Sequence, residues 1–374
     1  MARENQVIEA QVGIIGAGPA GTAAALHLGQ LGIHDVVLTD REDFPRDKTC
    51  GSGLSPKGIG VLKALGVWEA VEPLSYPIKG LRLVTPSDKE VFLSGGDAAA
   101  AVICHRRILD HTLLQRAQSL GTRFVPHFLT RQLLFEGERV VGFRAMDGRE
   151  IRCRYTIVAD GAHSLFTLRS DKKQLIQAIM GWWDNVPFTP EHVEMVFDPA
   201  VLPWYGWLFP EGPTRVNIGI CYGDDAHDKN ARQMFQAFLD KHYAKRLHGA
   251  TQVGGFKGHP ISYSFKIDKL FSPGRVVIGE AGRMTHPATA EGIYQGMRTG
   301  MLAADALKTI LSHQKDEDEA LARYQWNCKK AFAISFWGSK LFHKATRTPL
   351  LDWVADLGNS PRVKRATGKL MAQM

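Results

Sequence analysis

Residues 11–15, "QVGII", are a short apolar run that breaks at Gly16. "GAGPAG" follows, and then "TAAALHLGQLG", with alanines and leucines at helical spacing and a closing glycine. A second run, "DVVLTD", ends in Asp40. Strand, tight turn, helix and strand in that order make one βαβ unit, and no other feature narrows the fold so far. Gly16, Gly18 and Gly21 give the spacing GxGxxG, with Pro19 and Ala20 inside it. The first glycine permits the turn, the second lets the backbone approach a pyrophosphate, and the third lets helix and strand pack closely. Phosphate charge then sits at the positive end of the helix. Asp40 is placed to accept ribose hydroxyls, with Arg41 next to it. The unit predicts a dinucleotide site; the competing reading is a purely structural glycine turn.

Two later stretches bear on which dinucleotide. "TIVADGAHS" puts Asp160 and Gly161 directly after an apolar strand. "GRVVIGEAGRMTHPATAEGIYQGM" puts Glu280 after another, then Pro287, then Gly292 and Ile293 opening a long helix. On these stretches the chain resembles the flavoprotein monooxygenase superfamily, with its para-hydroxybenzoate hydroxylase-like fold. That family binds FAD through GxGxxG, a D-G segment, and a G-D segment followed by a proline and a helix-opening glycine. The resemblance implies FAD held by Gly16, Gly18, Pro19, Ala20, Gly21, Asp40, Arg41, Asp160, Gly161, Glu280, Pro287, Gly292 and Ile293. One position departs from the pattern: Glu280 stands where the family has aspartate, so the ribityl contact is expected to be displaced or water-bridged.

Within the superfamily the chain is most similar to the geranylgeranyl reductase family, over roughly residues 10–345. Four stretches carry this: "DREDFPRDKTCGSGLSPKGIGVLKALGV", "HRRILDHTLL", "FDPAVLPWYGWLFPEGPTRVNIGI", and the Glu280–Gly292 segment. The resemblance implies an FAD enzyme that adds two hydrogens across isolated double bonds of a prenyl chain or another apolar substrate. It puts Arg106, Gly51 and Gly53 beside the flavin and Cys50 over its ring system. Cys50, Tyr205 and Trp207 are the expected catalytic residues. Lys48 would favour thiolate at Cys50, although Lys48 and Arg46 otherwise read as solvated loop charges. Trp182, Trp183, Tyr205, Trp207 and Phe209 read either as an aromatic ledge for substrate or as the core of a sheet. His286 reads as a loop histidine before proline, and His105 as structural.

Two rival functions share these motifs. One is an FAD-dependent monooxygenase acting on an aromatic substrate, either a hydroxylase or, less in keeping with "YGWLFP", a halogenase. The other is a membrane-surface electron-transfer flavoprotein. No second GxGxxG follows, so the reductant is open between NAD(P)H and a ferredoxin-type donor.

The expected fold class is α/β: a Rossmann-type FAD domain of the GR2 type, an inserted antiparallel sheet, and a helical C-terminal region. The FAD domain is expected over residues 1–75, 100–172 and 265–315. The β-rich substrate domain is expected over 76–99 and 173–264, and the basic helical region over 316–374. Within the FAD domain, residues 55–70 read as one helix, and "EGE" and "DGR" as turns between three strands. Five scattered cysteines without paired spacing argue against disulfides or zinc, and no metal site is expected. The start lacks signal-peptide architecture, which favours the cytoplasm. Residues 329–374 hold nine Lys/Arg against two Asp, although the whole chain carries only +8. That tail reads as a helical region packed on the body with a solvated basic face, since Pro349 and Pro361 interrupt any long amphipathic helix; the competing reading is peripheral contact with an anionic membrane. No nucleic-acid partner is expected.

Overall fold

The computed structural model describes residues 7–94, 99–223 and 230–358. Strand Val7–Ile15 runs parallel to Val36–Thr39 on one side and to Glu150–Val158 on the other. Arg123–Val125 and Arg275–Val277 extend the parallel sheet outward on those two sides. The winding therefore reverses at Val7–Ile15, and in open α/β sheets a ligand crevice lies at the carboxyl ends of the strands at such a point. Val12, Ile14, Val36, Leu38 and Ile157 are fully buried, as strands covered on both faces must be. "EGE" and "DGR" lie between the antiparallel strands Thr130–Glu136, Arg139–Ala145 and Glu150–Val158.

Helix Pro19–Gln30 covers one face of this sheet, with Ala23, Ala24, Ala25, Leu26 and Leu28 fully buried. Helix Ile293–Leu311 crosses it at backbone distance: a Cβ on Gly300 would lie 2.5 Å from the Ala20 carbonyl oxygen. Small residues on both helices are what make that approach possible. The single helix expected over 55–70 is instead two pieces, Pro56–Ala64 and Trp68–Val71. Gly66 separates them with φ +68°, a left-handed conformation that ends a helix.

The second sheet has seven strands, in the order Thr251–Tyr263, Gln174–Asp184, Arg215–Gly223, Gly206–Pro210, His192–Val196, Gly80–Val84 and Glu90–Ser94. All neighbours are antiparallel except His192–Val196 with Gly80–Val84. Successive side chains on a strand point to opposite faces, and this splits the expected aromatic ledge. Trp183 lies with Phe235 and Phe256 under helix Ala231–His242, on the far face. Trp182, Tyr205, Trp207 and Phe209 share the near face with Met180 and Cys221. Gly219 pairs with Trp207, and a Cβ there would come within 2.3 Å of the indole. The missing side chain gives that ring its room.

Helix Glu317–Ala345 crosses the body, and a turn containing Pro349 leads to Leu350–Gly358. Pro361 and the rest of the basic tail lie outside the described residues. Among those described, no helix is long and apolar enough to cross a membrane. All five cysteines are free thiols. The expected fold class holds: a parallel α/β core, an inserted and mainly antiparallel sheet, and a helical C-terminal region.

Candidate active site

The glycine turn is built as a cradle. Gly16 has φ +99°, and a Cβ there would lie 2.5 Å from the Ala159 carbonyl oxygen. A Cβ on Gly21 would lie 1.9 Å from the Gly16 carbonyl oxygen. Gly18 precedes the helix without any side-chain cap, and Pro19 starts it. The first-turn N–H groups of that helix therefore remain available to an anion. Asp40 is buried beside the turn; its Oδ2 accepts from Ala17 N at 2.8 Å and its Oδ1 from Glu42 N at 3.0 Å. Arg41 is exposed next to Glu42.

The D-G and G-D segments meet next to this cradle. Asp160 Oδ1 is buried with no hydrogen-bond partner. Burial raises the Asp160 carboxyl to about 6, against smaller opposing effects from Ser164 and Lys173. Glu280 lies in a single helical turn, Gly279–Gly282, and its Oε1 accepts from Ser262 N at 2.8 Å. A Cβ on Gly161 would lie 3.9 Å from its Oε2. Burial pushes the Glu280 carboxyl up; the Ser262 amide, Lys48 and Arg106 oppose the shift.

Arg106 opens helix Arg106–Ser119 and grips Asp110 in a bidentate pair at 2.7 Å and 2.7 Å. Its guanidinium also lies within reach of the Cys50 thiol. Arg46 and Lys48 are not solvated loop charges. The Arg46 side chain is only 14% exposed and lies 3.4 Å from Asp110. Lys48 reaches across to the second sheet, where its Nζ lies 2.9 Å from His259 Nε2. Burial, then Arg106, pull the Lys48 ammonium down to about 8. Burial and Lys48 push His259 down to about 3, so it stays neutral and its Nε2 accepts a hydrogen bond from the Lys48 ammonium.

The "CGSGL" loop rests on the near aromatic face. A Cβ on Gly51 would lie 3.2 Å from Phe209 and 3.6 Å from Trp207 Nε1, and Gly53 faces the same Phe209 ring. Tyr205, Trp207 and Phe209 run as a chain of rings at 6.4 Å and 6.1 Å. Their polar atoms are already engaged. Tyr205 Oη donates to the Thr289 carbonyl at 2.5 Å, and Trp207 Nε1 donates to Asn217 Oδ1 at 2.7 Å. Both side chains are buried in the core of the inserted sheet, and neither offers a free donor. Trp204 Nε1 and His343 Nε2 both lie against the Pro287 carbonyl, at 2.9 Å and 3.1 Å. Gly292 stands at the N-terminus of the following helix, and Ile293 is buried in its first turn. His286 packs edge-on to Phe336 at 5.6 Å, and burial lowers it to about 4. His105 is near Glu211, at 3.5 Å.

One group escaped the sequence reading. Glu291 is half-buried next to Gly292 and accepts from Ser55 Oγ at 2.5 Å and from Gln295 Nε2 at 3.4 Å. Nothing local marks it, because its partner Ser55 lies 236 residues away. Burial raises its carboxyl, opposed by Ser55 and Gln295. The folded state thus binds that proton more tightly than the unfolded chain. Its contribution to stability is full below the ordinary value of 4.5 and is lost as pH rises through the raised folded value. Glu291→Gln is expected to remove this loss, which has a limiting slope of about 1.4 kcal/mol per pH unit. Melting temperatures of wild type and variant measured from pH 4 to 9 should diverge in the variant's favour; parallel curves would sink the assignment.

The residues present suit FAD: an uncapped helix terminus, open space at Gly18, and an unpartnered buried carboxylate oxygen at Asp160. Among the described residues no cluster of three or more His, Cys, Asp or Glu could hold a metal ion. Fold and site together define an FAD-dependent oxidoreductase.

Comparison with known proteins makes the class narrower. A family model described as "FAD binding domain" matches residues 9–333. A menaquinone reductase of Mycobacterium tuberculosis is 31% identical over 325 residues, covering 80% of this chain and 76% of the relative. A digeranylgeranylglycerophospholipid reductase of Methanothermobacter thermautotrophicus is 27% identical over 337 residues, covering 87% and 83%. The crystal structure of a geranylgeranyl bacteriochlorophyll reductase-like protein from Thermoplasma acidophilum superposes with a TM-score of 0.85 at 21% identity, covering 96% of each chain. The chain belongs to the geranylgeranyl reductase family of FAD-dependent oxidoreductases.

Proposed function

We propose that this protein saturates carbon–carbon double bonds in the polyprenyl chain of a lipid. The observation that carries this reading is the seating of the Cys50 loop on the Tyr205–Trp207–Phe209 face, beside the Arg106–Glu280 cluster. Named substrates of the similar reductases, menaquinone and digeranylgeranylglycerophospholipid, share a polyprenyl chain. Bound FAD, once reduced, supplies hydride. Every other requirement falls on the protein. An isolated alkene is a poor acceptor, so it must be aligned and kept dry. Ring faces with their polar atoms already bonded can hold an apolar chain without competing for it. Cys50 Sγ holds the proton that the second carbon receives, and the thiolate left behind is stabilised by the Arg106 guanidinium. Solvent returns that proton. Glu280, Asp160 and the glycine cradle hold the cofactor.

The test is anaerobic incubation of the dithionite-reduced enzyme with a geranylgeranyl lipid and with menaquinone, read by mass spectrometry. The expected products are heavier by two hydrogens per saturated bond. A quinol with an unchanged chain would replace this reading with quinone reduction. An aerobic product heavier by one oxygen atom would replace it with oxygenation. The same assay run with NADPH or with a reduced ferredoxin in place of dithionite identifies the reductant.

A further inference from the structure

Helix Glu317–Ala345 has two faces of different character. Its inner face closes the site: Phe332 meets Tyr294 at 5.8 Å, Phe336 meets His286 at 5.6 Å, and Phe342 meets Phe197 at 6.0 Å. Its outer face carries Trp326, Lys330, Ile334, Trp337, Leu341 and Lys344, whose spacing gathers them on one stripe. The large apolar members are well exposed, with Trp326 at 64%, Ile334 at 86% and Trp337 at 59%. Leu350 and Trp353 on the next helix are exposed as well, at 47% and 66%. A stripe of this size on a soluble surface marks a binding face.

Charge identifies the occupant. From Ala320 to Leu351 the chain has no Asp or Glu, but it has Arg323, Lys329, Lys330, Lys340, Lys344 and Arg347. A protein partner would need an acidic rim around an apolar centre. An anionic bilayer offers both everywhere: Trp and Leu settle at the headgroup boundary, and Lys stems lie along apolar surface with their ammonium groups raised to the lipid phosphates.

We infer that the outer face of helix Glu317–Ala345, extended by Leu350 and Trp353, docks the enzyme on an anionic membrane surface. Docking puts the aromatic face of the site about one helix diameter, ~10 Å, from the lipid boundary. A polyprenyl chain can then reach the site without crossing bulk water. The inference rests on the polyprenyl reading for its purpose but not for its test.

The test uses full-length, FAD-loaded protein and sedimentation with vesicles of phosphatidylcholine alone or mixed with phosphatidylglycerol. Binding to the anionic vesicles is expected to be at least tenfold tighter and to weaken with salt. Ile334→Glu with Trp337→Glu is expected to lower it at least tenfold, with unchanged flavin content and melting temperature. Should that variant fail to fold, Lys330→Gln with Lys340→Gln and Lys344→Gln provides a second test, by removing the preference for anionic over neutral vesicles. Equal binding of wild type and folded variants would overturn the inference. So would a wild-type dimer that ignores vesicles and that the double substitution splits, which would make this face an interface between copies. Failure of the reductase reading would appear in the product assay alone and leave vesicle binding intact.

Discussion

Cys50→Ala is expected to lower turnover by about 10²–10⁴-fold, the range for loss of a positioned proton donor, while FAD stays bound. The thiol is half-buried, its Sγ accepts from Ser52 N at 3.3 Å, and Arg106 lies against it. Alanine removes the proton but disturbs little: the loop is held by glycines against Phe209 and by the short strand Gly53–Leu54 paired to Ala101–Ile103. Cys50→Ser keeps a hydroxyl in place, but a hydroxyl gives up its proton far less readily than a thiol, so the rate should stay low. The informative comparison is single-turnover reoxidation of reduced enzyme by a prenyl substrate against the flavin absorbance spectrum. A slow rate with an unaltered spectrum assigns proton delivery. Unchanged turnover with unchanged product would return Cys50 to the rank of a loop residue and leave the FAD assignment standing.

The glycine turn makes a second large prediction with a built-in contrast. Gly21→Ala would drive a methyl group to within 1.9 Å of the Gly16 carbonyl oxygen, and that atom is backbone and cannot step aside. Overpacking of this kind costs about 1–3 kcal/mol or more, and the whole βαβ turn must shift to relieve it. The variant is expected to lose FAD and to melt several degrees lower. At Gly18 a Cβ would meet nothing nearer than an Arg106 nitrogen at 3.9 Å. Gly18→Ala should therefore fold with wild-type stability as apoprotein and lose FAD affinity alone, because its methyl group occupies space that a pyrophosphate needs. Titration of each apoprotein with FAD, alongside calorimetry, separates the two. Equal losses of stability would mean that the second glycine is structural like the third.

Much of this was legible in the chain because it is local. The βαβ unit, the Asp160–Gly161 turn and the Gly292 helix start are each written within a few residues. What escaped depends on partners far apart in sequence. Arg46 and Lys48 look like loop charges until the fold brings Asp110 and His259 to them. Trp182 and Trp183 are adjacent letters on opposite faces of a sheet, and the aromatic run carried no sign of which face was buried under Phe235. Glu291 drew no notice in the chain, and its carboxyl gains a partner only because the fold brings Ser55 to it. The helix expected over 55–70 failed at Gly66, a stop signal that an apolar pattern running through it concealed.

The Pro287 carbonyl has one further consequence. A carbonyl oxygen has two lone pairs, and here Trp204, just before strand Gly206–Pro210, and His343 of the C-terminal helix share them. Withdrawing one partner leaves the carbonyl with a single hydrogen bond, and withdrawing both leaves it unmatched at about 1–3 kcal/mol. The three regions are thus not interchangeable parts. In recombination between relatives, residues near 204, 287 and 343 must be inherited together, and a crossover that separates them breaks a joint that no single segment records.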